Sequence, residues 1–182
     1  VPGTVSDGHD FIPQAIAAGA ACIVCETMPE EAPDHVTLVQ VKSSAAALGH
    51  IAADFHNHPS KEMKVVAVTG TNGKTTTVSL LHQLSRLLDR KAGMLGTVEN
   101  KIVDRVIPAT HTTPDALHLQ ALFRAMADAR CTHVFMESSS LAIAQEPTTG
   151  TQFAGAVFTN LTHDHFDHHG DFNASIFHLN VA

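Results

Sequence analysis

The chain is poor in basic residues. Its 182 residues include 11 Lys and Arg against 18 Asp and Glu, which gives a formal net charge of −7 at pH 7. Surfaces that bind nucleic acids or anionic membranes need clustered Lys and Arg to neutralise phosphate charge. The composition therefore argues against a nucleic-acid partner, and we expect none.

Cysteine is also scarce, with three residues in all. Cys22 and Cys25 lie in one short apolar run, where we expect both to be small buried core residues. No second pair of cysteines or histidines lies nearby in the sequence to complete a zinc site with them. Because three cysteines make no disulfide framework, the pattern favours a reducing cytoplasm.

Long apolar runs are missing from the sequence. No stretch approaches the roughly 20 consecutive apolar residues that a membrane-spanning helix requires, so we expect no membrane span. The opening residues, VPGTVSDGHDF, contain neither a basic region nor a long apolar segment, and no secretory signal is visible. The first residue is Val1 rather than Met, which leads us to expect that the chain starts within a domain.

What the sequence does contain is an alternation of strand and helix patterns. Hydrophobic residues make up 44% and charged residues 16% of the chain, a balance typical of a globular fold. The alternation predicts βαβ units, and therefore an α/β fold with a parallel sheet. Helices are predicted over 10–20, 43–55, 74–90, 115–129 and 171–179, and strands over 21–26, 36–41, 64–70, 92–96, 132–138 and 153–160. The helix over 74–90 carries a stripe of leucines at helical spacing, and the helix over 115–129 has its large apolar residues on one face; these residues are Leu80, Leu81, Leu84, Leu87 and Leu88 in the first helix and Leu119, Leu122, Phe123 and Met126 in the second.

One polar, proline-containing segment interrupts this alternation. The sequence NHPSKE at 57–62 is predicted to be a linker between domains. We therefore expect one α/β domain over 1–58 and a parallel-sheet domain over 63–182.

The strongest chemical signal is the segment VTGTNGKTTT at 68–77, in which a β-branched strand runs into a glycine-containing loop and a helix begins at Lys74. In such a loop the helix N-terminus faces an anion, the lysine reaches the β- and γ-phosphates, and the following hydroxyl, here Thr75, ligates Mg²⁺. Val68 replaces the first glycine of the strict pattern, but the order of the parts is kept. The segment predicts an ATP and Mg²⁺ site. Its predicted nucleotide-binding residues are Gly70, Thr71, Asn72, Gly73, Lys74, Thr75 and Thr76.

A second signal is the cluster NLTHDHFDHHGDF at 160–172, with four histidines and three aspartates. Its core is similar to the H-x-H-x-D-H zinc signature of metallo-β-lactamase-like hydrolases. Those enzymes need further ligands well downstream, however, and the chain ends at Ala182. For His163, His168 and His169 we favour solvated positions.

The order of four motifs resembles that of the Mur ligase family. These motifs are GTNGKTTT, ATHTTPD, MESSS and TNLTHDHFDHHG, and DGHDFIPQAI, ALGHIAADF and GTVENK extend the similarity from Val1 to about Phe172. Such ligases have a UDP-sugar domain, a central ATPase and a C-terminal amino-acid domain. The resemblance implies a partial UDP-binding domain followed by a truncated P-loop domain, with the C-terminal domain absent.

The resemblance also implies an activity. Within the family it points to the ligase that adds the third residue, diaminopimelate or lysine, to UDP-N-acetylmuramoyl-L-Ala-D-Glu in peptidoglycan synthesis. Such ligases phosphorylate the substrate carboxylate with ATP, and the amine of the amino acid attacks the acyl phosphate. The partners implied are the UDP-muramoyl-dipeptide and an amino acid, and we expect a monomeric cytoplasmic protein.

Individual residues take roles from the same resemblance. Lys74, Glu137 and His165 would be catalytic. Thr75, Glu137 and His165 would ligate Mg²⁺. The residues implied to contact the UDP-muramoyl substrate are Thr4, Val5, Ser6, His111, Thr112, Thr113, Ser139 and Gln145.

Three positions depart from the family pattern. Leu141 replaces a histidine, Pro147 replaces an arginine that grips the substrate, and Leu179 occupies the position of a metal-bridging carbamylated lysine. Leucine has no ligand atom, and proline has no cationic group. We therefore expect an inactive fragment. The alternatives are a non-catalytic nucleotide-binding module, a related amide ligase such as folylpolyglutamate synthase, and, with less support, a zinc hydrolase that uses the histidine cluster.

Overall fold

The structure is a computed structural model that describes residues 1, 7–31, 33–109, 112–139 and 147–160. The chain separates into two compact units, 1–48 and 49–182. The domain limits expected from the sequence, 1–58 and 63–182, stay a prediction. Within the described ranges, no helix is long and apolar enough to cross a membrane.

The first unit is built on a small parallel sheet. Its elements are a 3₁₀ turn (Gly8–Phe11), helix α1 (Ile12–Ala17), strands β1 (Cys22–Cys25) and β2 (Thr37–Gln40), and the beginning of helix α2 (Ser44–Phe55). Strands β1 and β2 pair in parallel. Between them and α1 lies a small apolar core of Ile12, Ile23, Cys25 and Val36.

The prediction that both cysteines of this unit are buried was half wrong. Cys25 is 2% exposed, whereas Cys22 is exposed to solvent. Successive side chains of a strand point to opposite faces, so two residues three positions apart cannot both face the same core.

The second unit contains a larger sheet flanked by two helices. The bounds of its elements are β3 (Lys64–Thr69), α3 (Lys74–Leu87), β4 (Ala92–Leu95), β5 (Glu99–Ile102), β6 (Arg105–Pro108), α4 (Ala116–Asp128), β7 (His133–Glu137) and β8 (Phe153–Phe158). Among the described residues the strand order is β6-β5-β4-β7-β3-β8. Strands β4, β7, β3 and β8 are parallel, which confirms the predicted α/β fold with a parallel sheet.

The other two strands were not predicted. Strands β5 and β6 form an antiparallel hairpin that extends the sheet beyond β4. The turn between them places Val103 at φ +57°, a backbone conformation that a β-branched residue rarely adopts. The two turn residues, Val103 and Asp104, include neither glycine nor asparagine, so the sequence carries no signal for this hairpin.

The register of β3 with β7 and β8 brings the last residues of these strands close together. Val68 lies opposite Glu137 in this register, and Thr69 lies opposite Phe158 of β8. Because the three strands are parallel, their carboxyl ends lie together. Ligands of open parallel sheets bind at this edge.

The two faces of the sheet are covered by different helices. Helix α4 packs on one face, where Leu119, Phe123 and Met126 are fully buried against the sheet, as their helical spacing predicted. Helix α3 covers the other face through Val78 and, in part, Leu81. The other leucines of its predicted stripe are more than half exposed, namely Leu80, Leu84, Leu87 and Leu88. In α3, therefore, leucine spacing predicts the helix but not its buried side.

The segment predicted as a linker is not an extended connection. Pro59–Lys61 forms a 3₁₀ turn, and Pro59 and Ser60 are buried. The Ser60 hydroxyl oxygen accepts a hydrogen bond from the Gln152 amide at 3.0 Å. This contact ties the turn to the residue before β8.

Helix α3 also buries a titratable side chain. His82 is 4% exposed, and its Nε2 atom has no partner among the described residues. Burial lowers the pKa of His82 below the ordinary value of 6.5, and the positive charges of Lys101 and Arg86 lower it further, against hydrogen bonds to the backbone of Ala92 and Val103. The folded chain therefore holds His82 neutral.

Lowering the pH is expected to destabilise the fold through His82. The free energy of unfolding falls as the pH drops through about 6.5, because the imidazole of the unfolded chain then binds a proton while that of the folded chain stays neutral. The loss is complete once the pH is below the lowered pKa of folded His82. Urea unfolding between about pH 7.5 and pH 5.5 measures this. His82→Gln should show a shallower pH dependence than the wild type, with His50→Gln, at an exposed position of α2, as the control. Equal slopes for wild type and His82→Gln would contradict the expectation.

Candidate nucleotide and metal site

The loop after β3 has the geometry of an anion-binding turn. Gly70 has φ +131°, and Gly73 has φ +86° at the position that caps α3. The first helical hydrogen bond runs from the Thr77 amide to the Gly73 carbonyl at 2.9 Å. The amides of Lys74, Thr75 and Thr76 precede this bond and so have no helical acceptor, which leaves N–H groups for an anion.

The end of β8 holds this loop in place. The Asn160 carbonyl accepts from the Thr71 amide at 2.9 Å, and its side-chain oxygen accepts from the Asn72 amide at 3.0 Å. The Asn160 side-chain nitrogen and the Thr159 hydroxyl both donate to the Asn72 carbonyl, at 3.1 and 2.7 Å. Residues 88 positions apart in the sequence thereby fix the shape of the loop.

Lys74 is folded over the loop that it follows. Its Nζ donates to the Gly70 carbonyl at 2.6 Å and to the Thr71 carbonyl at 3.0 Å. An ammonium has three N–H donors, so one remains for an anion in this arrangement. The lysine charge therefore lies directly over the loop.

Glu137 is the buried acidic group of the site. It ends β7 and is 1% exposed. Its Oε2 accepts from the Thr75 hydroxyl at 2.9 Å and from the Thr97 hydroxyl at 3.0 Å, and its Oε1 accepts from the Thr97 amide at 3.0 Å. Among the described residues it has no basic partner, so its charge is met only by neutral donors.

These donors and this burial suit a divalent cation. An ionised carboxylate taken out of water costs several kcal/mol when no opposite charge lies beside it. Carboxylate and hydroxyl oxygens are the ligands that Mg²⁺ prefers. The residues present therefore fit Mg²⁺, with Thr75 and Glu137 as the side chains that would hold it.

Two further threonines, from the segment before α4, lie beside Glu137 and Thr97. The Thr113 hydroxyl donates to the backbone carbonyl of Glu137 at 3.2 Å, and the hydroxyl oxygens of Thr97 and Thr112 are 3.3 Å apart. Thr112 and Thr113, both half-buried, thus connect to the residues predicted to bind metal.

Comparison with known proteins identifies the family. Residues 68–178 match the Mur ligase middle domain, and residues 1–56 match the catalytic domain of the Mur ligase family. The chain belongs to the Mur ligase family. The match over 68–178 includes the loop 70–76, called the phosphate loop below, together with Glu137 and the histidine cluster at 160–172. The cluster therefore belongs to a Mur ligase domain.

The relatives that this Mur ligase chain matches are much longer than the chain itself. The UDP-N-acetylmuramoyl-L-alanyl-D-glutamate–2,6-diaminopimelate ligase of Cytophaga hutchinsonii is 54% identical over 177 residues, which is 97% of this chain and 36% of the relative. The ligase of the same name from Bacteroides thetaiotaomicron is 50% identical over 167 residues, 92% of this chain and 35% of the relative. The chain thus spans about a third of the length of these relatives.

Solved structures agree with the family. A UDP-N-acetylmuramoyl-L-alanyl-D-glutamate–2,6-diaminopimelate ligase superposes with a TM-score of 0.78 at 27% identity, over 93% of this chain and 34% of that chain. MurF from Acinetobacter baumannii has a TM-score of 0.56 at 21% identity, over 99% of this chain and 35% of that chain, and shares the fold.

Several residues predicted from the sequence lie outside the described ranges. These are Thr4, Val5, Ser6, His111, Gln145 and the histidines His163, His165, His168 and His169, together with the departures Leu141 and Leu179 and the helix predicted over 171–179. Ser139 is described and follows Glu137 by two positions, and the Ser138 amide donates to the Val68 carbonyl at 2.9 Å. The described residues that the fold brings together are the loop 70–76, Glu137, Thr112 and Thr113.

The sequence analysis missed the residues that hold this Mur ligase site together. Thr97 binds the Glu137 carboxylate twice, and Thr159 and Asn160 hold the phosphate loop. A signal was present, because each of them follows a strand of the parallel sheet within two residues of its end. Short polar residues at the carboxyl end of a parallel strand are candidates for the site edge.

The two glycines of the loop are expected to differ in their sensitivity to alanine. At Gly70 a Cβ atom would collide with the Thr159 hydroxyl and lie 2.7 Å from the Asn160 carbonyl, whereas at Gly73 no atom lies within 4 Å. Gly73→Ala should cost about 1 kcal/mol of stability for its positive φ, and Gly70→Ala about 3 kcal/mol. Urea unfolding of the two variants measures the difference. If they lose equal stability, the contact between β8 and the loop is not tight.

Proposed function

We propose that this chain is the nucleotide-binding and substrate-contacting part of an ATP-dependent ligase that acts on UDP-N-acetylmuramoyl-L-alanyl-D-glutamate. The relatives at 54% and 50% identity are named for this substrate and for 2,6-diaminopimelate. The observation that carries the proposal is the hydrogen bond of 2.9 Å between the Thr75 hydroxyl and the buried Glu137 carboxylate. It joins the phosphate loop of β3 to an acidic group at the end of β7.

In this proposal the chain binds ATP at the amino end of α3. The amides of Lys74, Thr75 and Thr76 would contact phosphate oxygens, and Lys74 would leave the Gly70 and Thr71 carbonyls to reach the β- and γ-phosphates. Thr75 and Glu137 would hold Mg²⁺, with His165 as a further ligand. Bound Mg²⁺ would neutralise phosphate charge during transfer.

The proposed reaction is amide formation through an acyl phosphate. The substrate carboxylate attacks the γ-phosphate of ATP and ADP leaves. The amine of the amino acid then attacks the acyl carbon, and inorganic phosphate departs with its bonding electrons. Thr4, Val5, Ser6, His111, Thr112, Thr113, Ser139 and Gln145 are proposed to contact the UDP-muramoyl substrate. The monomeric state and the cytoplasmic location expected from the sequence stay predictions.

Mg·ATP is expected to bind the purified chain saturably, and Lys74→Ala is expected to weaken binding at least about tenfold, since it removes charge-assisted hydrogen bonds to phosphate. Isothermal titration calorimetry measures both. Lys64→Ala, at the opposite end of β3, is the matched control and should bind like the wild type. A folded wild-type chain that does not bind Mg·ATP would contradict the nucleotide proposal.

Glu137→Gln separates the metal from the nucleotide in the same titration. The amide keeps the size of the side chain but loses the negative charge, so ATP binding should no longer depend on added Mg²⁺. If Glu137→Gln keeps the magnesium dependence of the wild type, Glu137 is not a ligand of the metal.

A second candidate is a nucleotide-binding module without turnover. The observations that favour it are Leu179, where the family has a metal-bridging lysine, and Pro147, where it has an arginine. This candidate retains the phosphate loop and Glu137 but not the ligase reaction.

A chimaera discriminates between the two candidates. If the chain is the ligase part proposed above, residues 1–182 joined to the remainder of the Cytophaga hutchinsonii ligase will show turnover. If it is a module without turnover, the chimaera will show none, and Leu179→Lys will restore some, because leucine has no ligand atom. Release of ADP with UDP-muramoyl-dipeptide and diaminopimelate is the measurement. Full turnover before the substitution would show that the lysine is dispensable and would remove the case for a non-catalytic module.

A further inference from the structure

Thr97 makes two hydrogen bonds to the buried carboxylate of Glu137, although the sequence analysis gave it no role. Its amide donates to Oε1 of Glu137 and its hydroxyl donates to Oε2, both at 3.0 Å. Thr97 follows β4, on the side of β7 away from the phosphate loop. It therefore fixes the plane of the carboxylate from the opposite side to Thr75.

The hydroxyl protons around Glu137 can be counted. Oε2 accepts one from Thr75 and one from Thr97. A threonine hydroxyl has a single proton, and the charged carboxylate is the stronger acceptor for that of Thr97. Of the two hydroxyls, which lie 3.3 Å apart, only that of Thr112 then has a proton left to donate to the other. In this state the Thr112 proton is directed at Thr97 and is not available to a substrate.

We propose that Thr97 is a positioning residue that couples cation binding at Glu137 to the hydrogen-bonding direction of Thr112. This inference rests on the proposed function, in which Glu137 binds Mg²⁺ together with ATP. A carboxylate that shares its electron pairs with a cation is a weaker hydrogen-bond acceptor. The Thr97 hydroxyl then turns to the Thr112 oxygen, and the Thr112 proton becomes available to an acceptor on the UDP-muramoyl substrate.

We call the connected side chains Thr75, Glu137, Thr97 and Thr112 the relay. Nucleotide and substrate should favour each other's binding, because coupling between two sites is reciprocal. Thr113 lies outside the relay, since its hydroxyl donates to the Glu137 backbone carbonyl rather than to the carboxylate. Its side chain is an internal reference for the experiment.

The test follows the methyl resonances of Thr75, Thr112 and Thr113 by NMR while Mg·ATP is added to the chain. In the wild type, the Thr75 and Thr112 signals should shift along one saturation curve. Thr97→Val has the same shape without the hydroxyl and should abolish the Thr112 shift while the Thr75 shift persists. Thr97→Ser restores the hydroxyl and should restore the Thr112 shift.

If Thr97→Val does not fold, a second measurement on a different variant tests the same proposal. Thr112→Val removes a hydrogen bond in the free chain as well, but only in the cation-bound chain does it leave the Thr97 proton without an acceptor, because the free chain keeps the bond to Glu137. Mg·ATP should therefore bind several-fold more weakly, as expected for one unsatisfied donor. Thr112→Ser should bind like the wild type.

The outcomes separate this inference from the proposed function. If Thr112 shifts equally in the wild type and Thr97→Val, or if Thr112→Val leaves the affinity unchanged, the relay is wrong and the nucleotide site stands. If neither Thr75 nor Thr112 shifts in the folded wild type, the nucleotide site itself is wrong, and the relay falls with it.

Discussion

The site depends on one buried charge. Glu137 is almost completely removed from solvent, and in the described part of the chain it is met by two threonine hydroxyls and one amide. An isolated buried carboxylate is costly, so the surrounding groups are arranged to reduce that cost. Thr75 comes from the phosphate loop, Thr97 from the end of β4, and Thr113 bonds to the backbone of Glu137 itself. The same carboxylate thus orients the groups proposed to hold nucleotide, metal and substrate.

The parallel sheet makes this convergence possible. Strands β4, β7, β3 and β8 end at one edge, so Thr97, Glu137, the phosphate loop and Asn160 become neighbours although the sequence separates them widely. The strand ends also stabilise the loop, because Asn160 and Thr159 satisfy backbone groups that a free loop would expose to water. The shape of the loop 70–76 therefore depends on the end of β8 as well as on the positive φ angles of Gly70 and Gly73.

The sequence predicted the elements better than their environment. The helices that became α2, α3 and α4 and the parallel strands were expected close to their observed positions, because apolar periodicity reports local structure. Three expectations about packing failed or were incomplete. Cys22 is exposed, most of the α3 leucines are exposed, and the hairpin of β5 and β6 was not expected. The first two depend on which face a neighbouring element covers, which is not a local property. The hairpin was missed because its turn places Val103, a residue with no turn preference, at a positive φ.

By itself the sequence determined the α/β class, the phosphate loop and the resemblance to Mur ligases, since these rest on residue types at short, fixed spacings. Only the tertiary structure decided that Thr97 holds Glu137, that Asn160 holds the loop, that Thr112 lies beside Thr97, and that Thr113 bonds to the Glu137 backbone. These contacts join residues up to 88 positions apart, and their partners are set by strand order and register. A single threonine or asparagine after a strand has many possible partners, and the pairing of parallel strands selects one of them.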